Sequence, residues 1–256
     1  MSAALALCLW VWAAAAPAML LAWLIQQRTR NAGIVDAVWA LGVGAACAVG
    51  AALAEGATAG RLLAAAMGLW GLRLGLHLWR ERVWRRPEEG RYQRMRAAMG
   101  RWAGAGHFAF FQVQATWIAL FAFPPLAAAH APAPPLWAAL LGAGLWLTGA
   151  LIEAVADHQL ARHRAAAPGS LCTSGLWAWS RHPNYFGQLL TWTAWPLLAI
   201  ELHGGAWLWL APVAVFVFLR WLTGVPWVEQ RLAATRGAAW TSYAARTPCI
   251  IPWRIP

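Results

Sequence analysis

The chain has 256 residues, of which 61% are hydrophobic and only 11% are charged. Soluble domains are nearer half apolar and a quarter charged, so this composition excludes an ordinary soluble protein and indicates a chain that crosses a membrane repeatedly. All 20 basic residues are arginine, and the net charge of +11 therefore has to be interpreted by its position along the chain. The four cysteines form no close pair, which gives no indication of a disulfide framework or a zinc site. We expect no bound metal and no nucleic-acid partner.

Seven apolar runs are long enough to span a bilayer. They lie at about residues 3–25, 33–55, 62–79, 108–129, 135–156, 185–202 and 205–225. We therefore predict an all-α, polytopic membrane protein with seven transmembrane helices, forming a single domain over residues 1–256. The first run has no basic segment before it and is long enough to span, so we interpret it as a helix and not as a cleavable signal peptide.

Arginines follow the first, third, fifth and seventh spans, whereas the other connections contain almost none. By the positive-inside rule, the N-terminus is expected outside and the C-terminus in the cytoplasm. Three polar segments then face the cytoplasm, at residues 80–106, 157–184 and 226–256. A hydrophilic cofactor is expected to bind there.

Asp36 lies a few residues inside the second span, in the sequence GIVDAVWALG. Ionisable groups within spans are costly, so each is a functional candidate, although an acid near a span end can also reach the surface. An apolar environment favours the protonated acid, which can donate a hydrogen bond to a carbonyl oxygen. Trp39 lies one turn further on, on the same helix face.

The third and fourth spans also carry polar candidates. Arg73 lies within the third span, one turn after Trp70. It is a candidate for substrate binding or for a structural ion pair with Asp36 or Glu153. Gln112 lies in the fourth span, where we expect its amide to face a cavity.

The fifth span carries a polar stripe that leaves the bilayer. Glu153, Asp157 and Arg164 share one helix face, because they are separated by four and seven residues. Carboxylates suit ribose hydroxyls, and Arg164 and Arg162 suit phosphate groups. A merely solvated face with charge pairs is the alternative interpretation.

The stretch from Gly175 to Pro196 joins a polar cluster to a tryptophan-rich apolar helix. The polar residues are Ser180, Arg181, His182, Asn184 and Tyr185. Pro183 predicts that a helix begins near Asn184, and the N-terminus of a helix favours anions such as phosphate. The alternative is a basic turn that contacts lipid head groups. After the seventh span, Glu229, Arg231, Tyr243 and Arg246 lie on an interfacial helix or on a segment that closes over a cofactor.

These motifs together resemble the steroid 5-alpha-reductase family, specifically its bacterial branch of DUF1295-type membrane proteins. The resemblance rests on VDAVWALG, WGLRLGLHLW followed by EEGRYQRMR, the stripe around Asp157, SGLWAWSRHPNYFGQ, and GAAWTSY with IIP. The last two motifs are also similar to those of sterol C14 and C24(28) reductases and, more loosely, of isoprenylcysteine and phospholipid methyltransferases.

The resemblance implies a seven-span enzyme that binds NADPH from the cytoplasm and reduces the 4,5 double bond of a 3-oxo-4-ene steroid or similar enone lipid. Asp157 and Arg164 match the nucleotide-binding acid and arginine of that family, and Asn184 matches the asparagine beside the nicotinamide. Asp36 matches the glutamate that holds the steroid carbonyl with a tyrosine. The sequence departs from the family at Trp70, in place of that tyrosine, and at Gln188, in place of a glutamate.

We therefore predict an integral membrane NADPH-dependent reductase with Asp36 and Tyr185 as its catalytic residues. The predicted substrate-binding residues are Trp39, Trp70, Arg73 and Gln112. The predicted cofactor-binding residues are Glu153, Asp157, Arg162, Arg164, Ser180, Arg181, His182, Asn184, Tyr185, Glu229, Arg231, Tyr243 and Arg246. A methyltransferase that uses S-adenosylmethionine and a non-catalytic lipid-binding protein are the alternatives. We expect a multi-pass monomer in the lipid bilayer of the bacterial inner (cytoplasmic) membrane.

Overall fold

The structure, a computed structural model, describes residues 3–254 and contains only helices, turns and connections in that range. The α-helices are α1 (Ala3–Thr29), α2 (Ile34–Leu53), α3 (Thr58–Arg82), α4 (Gly90–Met99), α5 (Ala103–His130), α6 (Leu136–Ala166), α7 (Leu176–Trp179), α8 (Pro183–Leu198), α9 (Leu210–Val217) and α10 (Val225–Arg246). Short 3₁₀ turns lie at Gly100–Trp102 and Gly205–Trp209. The predicted all-α class is confirmed.

Six helical stretches in residues 3–254 are long and apolar enough to cross a membrane. Helix α8, at the sixth predicted span, has only 16 residues and falls short of that length. A multi-pass membrane protein is therefore supported, whereas the count of seven spans and the orientation stay predictions.

The chain divides into two compact units. The first unit contains the residues up to Pro134 together with Glu201–His203, and the second contains Pro135–Ile200 and the residues from Gly204 onward. Helices α1 to α5 belong to the first unit, and α6 to α10 to the second. The prediction of a single functional domain stays a prediction.

In the first unit, α2 and α3 approach each other closely where Gly44 meets Gly71. A Cβ atom added to Gly71 would lie 2.6 Å from the carbonyl oxygen of Ala40 and 2.6 Å from the Cα atom of Gly44. No real side chain tolerates such distances, because backbone atoms cannot give way as side chains do. Small residues thus let the two helices approach closely, as is common between membrane helices.

In the second unit, α6 and α8 make the corresponding contact through Gly149 and Gly187. A Cβ atom on Gly187 would lie 2.5 Å from the carbonyl oxygen of Gly149 and 2.8 Å from the amide nitrogen of Glu153. The 31 residues of α6 span about 46 Å at 1.5 Å per residue, more than the bilayer core of about 30 Å. The contact fixes the register of α6 against α8, and the excess length allows the end of α6 to extend beyond the bilayer.

The last two helices of the second unit are irregular. Helix α9 continues into a π-helical turn at Phe218–Leu222, and such turns often mark functional sites. Helix α10 is interrupted at Gly237, whose φ of 49° lies outside the helical region. A residue with a side chain rarely adopts that φ, so Gly237 permits the break.

Candidate functional site

Asp36, near the start of α2, lies at the centre of an ionic cluster in the first unit. Its Oδ2 atom accepts hydrogen bonds from the guanidinium groups of Arg82 and Arg91. Its Oδ1 atom accepts a hydrogen bond from the hydroxyl group of Tyr92 at 2.8 Å. Glu89 also pairs with both arginines. A carboxylate that accepts from two cations and a hydroxyl group is stabilised in its ionised form.

Arg82, Arg91 and Tyr92 were not among the site residues predicted from the sequence. Arg82 ends α3, whereas Arg91 and Tyr92 lie on α4, a short helix between apolar runs that was not predicted. The motif EEGRYQRMR, which contains Arg91 and Tyr92, was the available signal. Tyr92 is only 2% exposed, which is unusual for a residue in so polar a segment.

Glu88 fastens the connection before α4 to the rest of the first unit. Its carboxylate accepts from the backbone amide of Ala32 at 2.9 Å and from Arg96 at 2.7 Å. Arg96 also donates to the side-chain oxygen of Gln26 at 3.1 Å. Burial alone would raise the pKa of Glu88, but the bonds from Arg96 and Ala32 outweigh it and lower that pKa. Helix α4 is therefore held in place by charged contacts that involve both Asp36 and Glu88.

The predicted substrate-binding residues also lie in the first unit. The rings of Trp39 and Trp70 meet edge to face at a centroid distance of 6.4 Å, and Trp70 is buried. Gln112 donates to the carbonyl oxygen of Ala16 at 3.4 Å, and Arg73 is partly buried on α3. The structure thus brings the two tryptophans together and gives Gln112 a backbone partner; the substrate role of these residues stays a prediction.

In the second unit, the predicted stripe on α6 meets α8 in a series of polar contacts. Asn184 donates to Asp157 at 3.2 Å, and Gln188 donates to Glu153 at 2.9 Å. The indole of Trp192 donates in turn to the amide oxygen of Gln188 at 3.1 Å. Glu153 is 2% exposed, so its contact with Gln188 lies inside the unit. The contacts follow from the glycine packing, which brings the helices close enough for short side chains to meet.

Helix α8 begins at Pro183, which confirms the predicted start of the helix near Asn184. Asn184 lies in the first turn, and its side-chain oxygen accepts from the backbone amide of Tyr185 at 3.1 Å. The polar cluster before the helix therefore ends in a defined N-terminus, as its sequence indicates.

Arg181 is bound to the C-terminal part of the second unit. Its Nε atom donates to Glu229 at 2.9 Å, and Nη2 donates to the other oxygen of that carboxylate at 3.4 Å. Its Nη1 atom donates to the carbonyl oxygens of Ala244 at 2.7 Å and Thr247 at 3.3 Å. The guanidinium group is therefore engaged within the protein, and its predicted role in cofactor binding stays a prediction.

Ser180 and Tyr243 join the same two segments. The Ser180 hydroxyl donates to the carbonyl oxygen of Ile250 at 2.7 Å, and the Tyr243 hydroxyl donates to that of Trp177 at 2.6 Å. Both side chains are buried. Tyr243 attaches α10 itself, and Ser180 the segment after α10, to the stretch before α8.

His182 lies between Glu229 and Tyr185. Its Nε2 atom is 3.0 Å from the carboxylate of Glu229, and its ring stacks on Tyr185 with a centroid distance of 5.1 Å and an angle of 5°. Burial lowers the pKa of His182 and outweighs the opposing effect of Glu229, while Arg181 and Arg220 lower it further. The neutral imidazole, donating from Nε2 to Glu229, is the form that these surroundings favour.

Cys249 completes a group that could in principle hold a metal ion. The ligand atoms of His182, Glu229 and Cys249 lie within 4.8 Å of one another. Both oxygens of Glu229 already accept from Arg181, and a guanidinium group beside the carboxylate opposes a second cation. Burial, with the charge of Glu229, also raises the pKa of the Cys249 thiol, which disfavours the thiolate that metals require.

The remaining predicted cofactor arginines are exposed, namely Arg162, Arg164, Arg231 and Arg246. Arg220 was not among the site residues predicted from the sequence. It lies on the π-helical turn, and its charge helps to lower the pKa of His182. Its guanidinium group lies 5.7 Å from the ring centroid of Trp221 and pairs with no carboxylate of residues 3–254. An arginine inside an apolar run was the signal for it.

A small apolar cavity of about 190 Å³ adjoins the polar cluster of the second unit. It is lined by Ile152, Leu176, Trp179, Ser180, Pro183, Phe186 and Pro252. Because its lining is almost entirely hydrocarbon and aromatic, it suits an apolar group and not a phosphate.

Comparison with known proteins shows the family. Residues 22–247 match the family described as "Protein of unknown function (DUF1295)". The chain is also 37% identical over 71 residues to the Homo sapiens protein "3-oxo-5-alpha-steroid 4-dehydrogenase 1". That alignment covers 26% of this chain and 27% of the human protein. The chain therefore belongs to the DUF1295 family, which is steroid 5-alpha-reductase-like.

Proposed function

We propose that the protein is a membrane reductase that uses NADPH to reduce the carbon–carbon double bond adjacent to the carbonyl group of a steroid or similar enone lipid. Membership of the family and the name of the human relative support an oxidoreductase in general. The observation that carries the finer proposal is the contact of Asp157 with Asn184 at the N-terminus of α8. This contact places a carboxylate and an amide side by side, and Arg162, Arg164 and Arg181 lie within a few residues of them in the sequence.

The residues of the second unit fit a dinucleotide in their chemistry. A dinucleotide needs acceptors for ribose hydroxyls, an amide partner for nicotinamide, and cations for phosphates. Asp157 and Asn184 provide the first two, and both are only partly buried. Arg162 and Arg220 provide cations that no carboxylate of residues 3–254 neutralises. Arg164 is a further cation, also on α6.

NADPH, when bound, would supply the hydride equivalent, and a proton from solvent would complete the addition across the double bond. Asp157 and Asn184 would orient the nucleotide, and the arginines would bind its phosphate groups. Tyr185, with its ring stacked on His182, is the proposed catalytic residue of this unit.

The Asp36 cluster is the proposed binding site for the substrate carbonyl group. Addition to an enone places negative charge on the carbonyl oxygen, which fixed N–H and O–H donors stabilise. Arg82 and Arg91 carry such donors, with N–H groups beyond those that Asp36 accepts, and Asp36 holds both. Tyr92 donates its single hydroxyl hydrogen to Asp36 and so helps to fix the carboxylate. We propose that Asp36 acts by positioning these donors, since its contacts favour the ionised carboxylate.

The test of the cofactor is thermal stabilisation of the detergent-purified protein by NADPH and, separately, by S-adenosylmethionine. A ligand at about a hundred times its Kd adds roughly 2.7 kcal/mol to the stability. We expect NADPH to stabilise the wild-type protein and S-adenosylmethionine not to do so. The variant Asn184→Ala should no longer be stabilised by NADPH. Stabilisation by S-adenosylmethionine instead would favour a methyltransferase, and no stabilisation by either would favour a non-catalytic protein.

The test of the Asp36 cluster is Asp36→Asn with an enone steroid as the assayed substrate. We expect turnover to fall by up to about a hundredfold, the cost of losing one donor to a developing oxyanion, because the variant would no longer hold Arg82 and Arg91 in place. The affinity for NADPH should change little. Unchanged turnover would remove Asp36 from the proposed mechanism. Tyr92→Phe, which keeps the ring and removes the hydroxyl, reports separately on the hydrogen bond that Tyr92 donates to Asp36.

A further inference from the structure

Exposed arginine and tryptophan residues lie on both sides of α4 in the first unit. We call this set the arginine–tryptophan rim; it consists of Arg80, Trp84, Arg85, Arg86, Arg101 and Trp102. Trp84 is 60% exposed and Trp102 is 64% exposed. The protein interior therefore leaves most of each indole uncovered.

The charges of the rim are not neutralised within the protein. None of its four arginines pairs with a carboxylate of residues 3–254. Three acids lie nearby in the sequence, and each has another partner. Glu88 pairs with Arg96, Glu89 pairs with Arg82 and Arg91, and Glu81 is also engaged outside the rim. The rim therefore presents an excess of positive charge.

Each tryptophan lies next to one of these charges. The guanidinium carbon of Arg85 is 5.6 Å from the ring centroid of Trp84, and that of Arg101 is 5.3 Å from that of Trp102. Tryptophan is enriched where hydrocarbon meets the polar head groups of a bilayer. Arginine binds phosphate oxygens in a fork geometry. The two pairs thus combine the groups that suit the head-group region of a phospholipid.

The rim is supported by rigid contacts. Helix α4 is tied to α2 through Tyr92 and Arg91 on Asp36, and the connection before it is tied through Glu88 to the backbone of Ala32. The arginines of the rim use none of these contacts. They are therefore available to a ligand without disturbing the fold.

We propose that the arginine–tryptophan rim binds the phosphate groups of anionic phospholipids. The charge of the rim complements an anionic head group, and its exposed indoles suit the boundary of the hydrocarbon. The inference is independent of the proposed reductase function, since it uses none of the proposed substrate or cofactor residues.

The test is native mass spectrometry of the full chain, purified in detergent and titrated with phosphatidylglycerol or phosphatidylcholine of identical acyl chains. An arginine at an anionic surface changes affinity by about fivefold. We expect selective retention of phosphatidylglycerol that weakens in high salt. The variant Arg85→Gln/Arg86→Gln/Arg101→Gln should lose at least tenfold of that selectivity.

Arg61→Gln is the matched control. Arg61 is also exposed and also pairs with no carboxylate of residues 3–254, but it lies at the other end of α3 from Arg80. Its loss should leave the selectivity unchanged. Trp84→Ala/Trp102→Ala keeps every charge and should weaken retention of both lipids, which tests the rim should the triple variant not fold.

Three results would overturn the proposal. The first is equal retention of the two lipids by the wild-type protein. The second is unchanged selectivity in the triple variant. The third is loss of NADPH affinity in the triple variant without loss of lipid selectivity, which would assign these arginines to nucleotide phosphates.

Discussion

At the scale of single residues, Arg181 lies in a predicted anion site, but its guanidinium group makes structural contacts within the protein. Its side chain donates to both oxygens of Glu229 and to two backbone carbonyl groups. Its side chain is 13% exposed and that of Glu229 is 22% exposed. Most of its hydrogen-bonding capacity is therefore used inside the second unit.

We predict that Arg181→Gln lowers the free energy of unfolding by about 3 kcal/mol, because it leaves the carboxylate of Glu229 without its main cationic partner. Thermal melting in detergent measures the effect. Arg162→Gln is the control, since Arg162 is exposed and makes no such contacts. Equal melting temperatures for the two variants would contradict a structural role for Arg181.

His182 gives a prediction about pH. Its folded pKa is lowered by burial, whereas an unfolded histidine has a pKa of about 6.5. As the pH falls, His182 is therefore protonated at a higher pH in the unfolded chain than in the folded protein. The stability that His182 contributes is fully present above about pH 6.5 and is lost as the pH falls toward the lower folded pKa.

We expect melting temperatures of the wild type to decline more steeply below about pH 6.5 than those of His182→Gln. The limiting slope for one proton is about 1.4 kcal/mol per pH unit. Parallel pH profiles for the two proteins would show that His182 is not held in its neutral form. His158→Gln is the control for an exposed histidine on α6.

At the scale of the element, the contact of α6 with α8 determines which polar side chains can meet. The two backbones touch at Gly149 and Gly187, and the contacts of Glu153 with Gln188 and of Asp157 with Asn184 follow within two turns. Short side chains bridge the helices only because the glycines remove the space that side chains normally occupy.

We predict that Gly187→Ala destabilises the protein by at least about 1–3 kcal/mol, the usual range for overpacking. The new methyl group would collide with backbone atoms that cannot move aside. Gly144→Ala, also on α6, is the control, because nothing lies within 4 Å of its added Cβ atom. That change should be neutral or gain up to about 1 kcal/mol from helix propensity. Melting temperatures that fall equally would refute the argument.

Helices whose pattern is local were predictable from sequence. Pro183 indicated the start of α8, and the long apolar runs indicated α1, α2 and α6. Helix α4 was missed, since its ten residues are mostly polar and its stability comes from Asp36 and Glu88, which are distant in sequence. The partners of Asp36 were not predicted for the same reason. Arg73 was a candidate for substrate binding or for an ion pair with Asp36 or Glu153, whereas the structure pairs Asp36 with Arg82 and Arg91. Such pairings depend on tertiary contacts that spacing does not encode.

At the scale of the whole molecule, the number of spans depends on α8. Its 16 residues measure about 24 Å, less than the hydrocarbon core of about 30 Å, and ten of them are buried. Composition indicated a span there, but composition alone does not distinguish a buried short helix from one that crosses completely.

We predict seven crossings, which place the two termini on opposite sides of the membrane. Paired reporters at each end, green fluorescent protein for the cytoplasm and alkaline phosphatase for the exterior, measure this directly. A cytoplasmic C-terminus with an external N-terminus is expected from the positive-inside rule. Both termini on one side would mean six crossings, with α8 entering the membrane without crossing it.

The break at Gly237 divides α10 into two short helical segments. The first segment is anchored by the contact of Glu229 with Arg181, and the second by the hydrogen bond from Tyr243 to the carbonyl group of Trp177. A straight α10 would move one part of the helix relative to the other, so that the contact of Glu229 with Arg181 or that of Tyr243 with Trp177 would be lost. Replacing Gly237 with alanine would disfavour the positive φ of the break and would therefore make the two contacts harder to form together.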